Sequence, residues 1–179
     1  IKEFFELFWR RNGNSKIKVP KAMEAAFAEP KNEAEEQIKA AIDAYAAEQT
    51  VKLEQDLFKQ RKRLADAERT LQTKTTKAAS ESKRIAADKI EWARGKLSDL
   101  QRTQLEDRDS RIFPGHYAPV MVMENGRRVI KPMRYQCRPA GKPVFYDSKF
   151  PGTYNARRDN LEGFWKDLFG YTHGVAVVN

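Results

Sequence analysis

Phe150-Pro-Gly-Thr-Tyr-Asn-Ala-Arg-Arg-Asp159 is the stretch on which the reading of this chain turns. Pro151-Gly152 breaks regular structure and Tyr154 restarts it, so Asn155 and Arg157 are expected on the same side of a short extended segment. An amide and a guanidinium on one side can orient a sugar or carbonyl oxygen and hold a phosphate. An Asn-Ala-Arg triplet by itself is common. Its surroundings carry the argument: Leu161, Phe164, Trp165, Leu168 and Phe169 follow, and then the apolar run Val175–Val178. That order predicts a helix over Asn160–Phe169, closed by Gly170, and then a buried strand.

Working back from this stretch, residues 111–159 have a β vocabulary. Val120–Glu124, Asn125-Gly126 and Arg127–Ile130 read as a hairpin, because Asn-Gly supplies the two positive φ angles of a tight turn whose twist suits the strands. Pro132 limits ladder pairing locally. Pro139, Gly141 and Pro143 form a loop that carries basic groups.

At the other end, Ile1, Phe4, Phe5 and Phe8 fall at i, i+3, i+4 and i+7, with Leu7 and Trp9 widening the stripe of a short amphipathic helix. Asn12-Gly13-Asn14 ends it. Pro20 then opens a second helix as its first residue, with Met23, Ala26 and Phe27 turned inward, until Pro30 stops it.

From Lys31 to Arg94 there is neither Gly nor Pro, and helix-favouring residues dominate. Asn32 followed by Glu35 reads as a capped start. Leu57, Leu64, Leu71, Ala78, Ile85 and Trp92 recur every seven residues, but the positions four on (Arg61, Glu68, Thr75, Ser82) are polar. The seam is therefore thin for a free-standing coiled coil. A single helix of about 100 Å competes with an antiparallel hairpin turning near Thr73-Lys-Thr-Thr76, where β-branched threonines weaken helix. The hairpin is preferred, because it returns the chain to its starting point.

The fold class is thus α+β, in three segments: helices over 1–30, a helical hairpin over 31–110 and a β-rich part over 111–179. An Ile at the first position and a last residue directly after a β-like run read as a fragment.

The net charge of +9 is uneven. Residues 1–30 hold six basic and four acidic groups, 31–108 seventeen and fifteen, and 109–179 eleven and six. Arg127–Lys142 contains six basic residues and no acidic one, the electrostatic footprint of a polyanion binder. The mean hydropathy of −0.77 and the lack of any apolar run near the roughly 18 residues of a membrane span point to a cytoplasmic, nucleoid-associated protein. One cysteine, Cys137, excludes an intrachain disulfide, and with only His116 and His173 beside it no zinc constellation forms. No metal or other cofactor is implied.

The 112–179 region resembles the SOS response-associated peptidase (SRAP) family. Asn155-Ala-Arg157-x-Asp159 is similar to its Asn-Ala-Arg-x-Glu, Ala118-Pro119 to the end of its Asn-x-Ala-Pro, and Tyr135-Gln-Cys-Arg-Pro139 to its Trp-Gly-x-x-Pro. His116, Tyr135, Gln136 and Asp159 stand where the family has Asn, Trp, Gly and Glu. The resemblance implies a mainly antiparallel β core with short helices, into which the helical hairpin is inserted.

It also implies a part in the response to DNA damage, with recognition of abasic sites in single-stranded DNA. In this family an N-terminal cysteine condenses with the ring-opened sugar and forms a thiazolidine DNA–protein crosslink; the same family is classed with peptidases. Only a terminal Cys offers a free amine and a thiol to one carbon. Cys137 cannot, since its nitrogen is a peptide amide. The family's catalytic Glu and His would fall after Asn179 in the matching order.

Carried over by position, Asn155 matches a catalytic residue that positions the sugar, and Arg157 matches a phosphate ligand. Tyr135 and Pro139 match an apolar edge for a base, and Pro119 joins them as a DNA contact. Arg134 and Arg138 add salt-dependent affinity. Two other classes remain open: a non-covalent basic nucleic-acid binder, and an adaptor whose helical segment meets a protein partner.

Overall fold

A computed structural model describes all residues except Ser15, Ala140, Thr172, Val178 and Asn179. The chain divides into two compact units, one made of Ile1–Ile42 with Leu105–Asn179 and the other of Asp43–Gln104. It is an α+β protein, rich in helix and with one antiparallel sheet of three strands among the described residues.

The first unit opens with α1 (Lys2–Arg11), whose stripe buries Leu7 and Phe8. Phe8 is 1% exposed and meets Phe27 edge-on, with ring centroids 5.9 Å apart. Trp9, expected on that stripe, instead lies 64% exposed and stacks on Phe5. At 100° per residue it falls beside the buried face rather than on it. Buried Arg11 pairs with Glu24 of α2 (Lys21–Ala25). Pro20 is the extended residue before α2 rather than its first helical residue, with ψ near 143°. Ile17, Val19, Met23, Ile38 and Ala41 complete the core, and Tyr117 packs against it.

Asn32 caps α3 (Glu33–Thr73): its side chain accepts from the Glu35 amide at 3.1 Å, and Glu35 reaches back to the Lys31 amide at 2.8 Å. Within the second unit α3 stops at Thr73 and α4 (Lys77–Gln101) starts after the Thr76 side chain accepts from the Ala79 amide. Arg63 donates to Ser82 at 2.9 Å and Lys83 pairs with Glu68, so the two helices run antiparallel across the Thr-rich break.

The seven-residue repeat does not run through that turn. On α4 the buried stripe is Ala79, Ala86, Ile90 and Ala93, while Ala78 and Trp92 are exposed. Three non-helical residues reset the helical phase, so a repeat continuous in sequence is discontinuous in space. The buried stripe of α4 is built mostly of small side chains, Ala79, Ala86 and Ala93, with Ile90 the one large residue in it.

Strands β1 (Tyr117–Glu124) and β2 (Arg127–Arg134) pair from Tyr117↔Arg134 to Glu124↔Arg127, and Pro119 faces Pro132. Asn125 (φ 50°) and Gly126 (φ 75°) make the turn. β3 (Val175–Ala176) adds to the other side of β1. It is a short strand and not a buried one, since Val175 is 60% exposed. Val178 lies outside the described residues. Gly174 approaches β1 so closely that a Cβ there would lie 2.5 Å from a Val120 methyl.

No α-helix forms over 160–169. Arg158–Asn160 is a 3-10 turn, and isolated turns continue to Tyr171, with Trp165 buried and Phe164 and Phe169 exposed. Gly163 costs about 1 kcal/mol of helix propensity, and with Phe164 and Phe169 exposed only Trp165 is buried, which leaves little tertiary packing to offset helix nucleation. Gly170 does take the left-handed conformation expected of it (φ 87°).

Candidate nucleic-acid interface

The Asn155–Arg157 segment is extended, as expected: Asn155 has φ −128° and ψ 119°, Arg157 φ −67° and ψ 141°. Ala156 between them is half-buried while both neighbours are exposed, so amide and guanidinium share the open side. The extension begins one residue later than the sequence implies, because Pro151–Tyr154 is a 3-10 turn.

Two segments far apart in sequence meet here. The Cys137 amide donates to the Thr153 carbonyl at 3.0 Å, and the Gln136 side chain donates to the Thr153 hydroxyl at 3.1 Å. The Cys137 Sγ lies 3.9 Å from the Tyr154 carbonyl. Tyr135 and Tyr154 meet edge to face at 6.3 Å, each 40% exposed. Tyr135 is itself held at the end of β2, donating its amide to the His116 carbonyl at 2.7 Å and accepting from Gly115 at 2.8 Å. Tyr135 is thereby held against Tyr154, the residue before Asn155, while Asn155 and Arg157 line an open recess of their own with Arg158 and Asp159.

The basic residues are less free than a charge count implies. Arg138 grips both oxygens of Asp147 (Nε–Oδ1 3.0 Å, Nη2–Oδ2 2.9 Å), and Arg134 pairs with the same carboxylate. Asp147, in the short helix α5 (Tyr146–Lys149), is 8% exposed, and the two guanidinium groups remain about one-third open. Two cations on one anion leave a single excess charge. Lys131 bonds Glu124 and also pairs with Glu3, which holds its ammonium above the ordinary range. Among the described residues Arg127, Arg128 and Lys142 make no ion pair, while Arg157 lies 3.5 Å from Asp159 in the open.

Pro139 stays with this group and accepts from Lys142 in a turn. Pro119 does not. It lies with Phe4, Pro20, Met23 and Phe27 around a separate apolar recess, because alternate β1 residues point to opposite faces. Its neighbours Ala118 and Val120 face the Tyr135 side, where they line a second recess with Cys137, His173 and Gly174.

Burial pushes the Cys137 thiol up, against a smaller opposing effect of a hydrogen bond from the Ala156 backbone. The thiol is therefore protonated and weakly nucleophilic near neutrality. Among the described residues no cluster of three or more His, Cys, Asp or Glu could hold a metal, and no helix is long and apolar enough to cross a membrane.

The sequence reading missed Asp147, Thr153 and Gln136 as organisers of the site. Asp147 did carry a signal: it is the only carboxylate between Glu124 and Asp159, among nine basic residues. Comparison with protein-family models, curated proteins and solved structures finds no match.

Proposed function

We propose that this chain is an SRAP-type protein that recognises abasic sites in single-stranded DNA and works in the cytoplasm in association with the nucleoid. The observation that carries the proposal is the docking of the Gln136–Cys137 loop onto Thr153, which holds Tyr135 edge to face against Tyr154, the residue before Asn155. Arg157, exposed and only loosely paired, takes a phosphate. Asn155 orients the opened sugar. Tyr135 and Tyr154 offer faces on which a base flanking the gap stacks, each such contact contributing about 1–3 kcal/mol. Arg134 and Arg138 present their outer edges to the strand while Asp147 holds their inner edges.

The covalent step belongs to a form that begins with cysteine. Its amine condenses with the sugar aldehyde and releases water, and its thiolate then adds to the imine carbon and closes the ring, with the proton returning to nitrogen. Cys137 takes no part, since it has no free amine and its thiol is held protonated. The test is fluorescence anisotropy with an abasic single strand, the same strand with all its bases, and a duplex. Preference for the abasic strand supports the proposal. Equal affinity for the abasic strand and for the same strand with all its bases makes this unit a generic polyanion binder.

A further inference from the structure

The helical unit has its own charge pattern, independent of the site above. Between Lys59 and Lys89 there are ten basic and four acidic side chains, a surplus of six; the rest of the unit, 43–58 and 90–104, has four basic and six acidic. The turn at 74–76 brings the basic parts of α3 and α4 to one end. All four acidic groups there are already engaged: Asp66 by Arg69, Glu68 by Lys83, and Glu81 and Asp88 by Arg84. Lys59, Arg61, Lys62, Lys74, Lys77 and Lys89 are exposed and, among the described residues, make no ion pair. Lys59, Lys62 and Arg63 also share an open cleft with the hydroxyl-bearing Thr70, Thr76 and Ser82, with Asp66 at its edge.

We infer that the turn end of this helical hairpin is a second, sequence-independent binding site, and that its ligand is the phosphate backbone of duplex DNA. Four pairs cancel the fixed anions, and the remaining cations spread over about 21 Å of α3 and 18 Å of α4 at 1.5 Å per residue. That span faces several phosphates of a duplex, which carries one charge per about 1.7 Å of axis.

The composition of the end selects this ligand over others. The aromatic residues nearest this end, Phe58 and Trp92, are exposed but stand at the limit of the basic stretch furthest in sequence from the turn, so the cations next to the turn, Lys74 and Lys77, have no neighbouring ring in sequence on which an unpaired base could stack. Between Phe58 and Trp92 no large hydrophobic side chain is strongly exposed, so near the turn a lipid surface finds no inserting group and a protein partner no anchor. Backbone contact needs neither.

The test uses the whole chain and a fluorescent duplex DNA of arbitrary sequence, titrated across salt concentrations. K59A/K62A/K74A/K77A should weaken duplex binding by on the order of 100-fold at low salt and flatten the log–log salt slope by about three to four, near 0.9 per lost contact. The fourfold Lys→Arg variant should keep binding, and K52A/K96A, in the other part of the unit, should change nothing. Circular dichroism shows that each variant keeps its helices. Unchanged binding by the fourfold alanine variant overturns the inference. So does loss of binding to phosphatidylserine vesicles with duplex binding intact. The abasic-strand reading fails or stands separately, through Arg157→Ala, which should leave duplex binding at the hairpin end untouched.

Discussion

Arg138 lies across the buried carboxylate of Asp147 with two parallel hydrogen bonds, of 3.0 and 2.9 Å, and Arg134 approaches the same group. A planar guanidinium held along one edge has fixed direction, so its other edge is presented without further loss of side-chain freedom. Asp147 thus connects the end of β2, the loop after it and α5.

Replacing Asp147 by Ala should cost about 1.5–3 kcal/mol of stability, the range for hydrogen bonds to charged groups. Urea unfolding of D147A, R138A and the double variant measures it. If the pair is coupled, the double variant loses less than the two single losses added together.

Asn155→Ala and Arg157→Ala should separate chemistry from binding. The first slows crosslink formation by a form beginning with Cys more than it weakens binding, because an orienting amide acts on the geometry of attack. The second weakens binding first, since it removes a phosphate contact. Denaturing gels and anisotropy read the two effects. An adduct formed by the present chain and abolished by Cys137→Ser would falsify the terminal-cysteine mechanism.

Two adjacent alanines test the hairpin seam. Ala86 is fully buried and Ala87 is exposed. Leucine at 86 should overpack the α3–α4 contact and cost about 1–3 kcal/mol, whereas leucine at 87 should be close to neutral. Thermal unfolding followed at 222 nm distinguishes them, and equal effects would mean that the seam lies elsewhere.

Gly174→Ala should loosen β3 from β1, since the added carbon meets Val120 at 2.5 Å. A loss of about 1–3 kcal/mol is expected from such crowding. Val120→Ala in the same chain should recover part of it, which amide hydrogen exchange at Val177 would report, because that amide donates to Pro119.

Desolvation, and secondarily Lys18, holds the His116 imidazole below its ordinary range, and its buried Nδ1 has no partner among the described residues. The unfolded chain therefore binds this proton more readily than the folded one. The neutral ring's contribution is complete above the unfolded value near pH 6.5 and is lost as pH falls from there through the lower folded value. Urea midpoints measured on acidification should fall less steeply in His116→Phe than in the parent chain.

What the sequence by itself determined is local. Asn125-Gly126 specified the β turn through its positive φ angles, Asn32 with Glu35 specified the start of α3, and the threonines near 74–76 marked its end. Each depends on a few neighbouring residues and on backbone sterics. The tertiary structure decided the rest. It reset the phase of the heptad across the turn, left Trp9 and Val175 in solvent, and denied a helix to 160–169, since burial depends on what packs opposite. It also tied Arg134 and Arg138 to Asp147 and laid Gln136 and Cys137 on Thr153. Those pairings span 9 to 17 residues, and no local period encodes them, because an ion pair or a loop contact follows from where the backbone brings two groups.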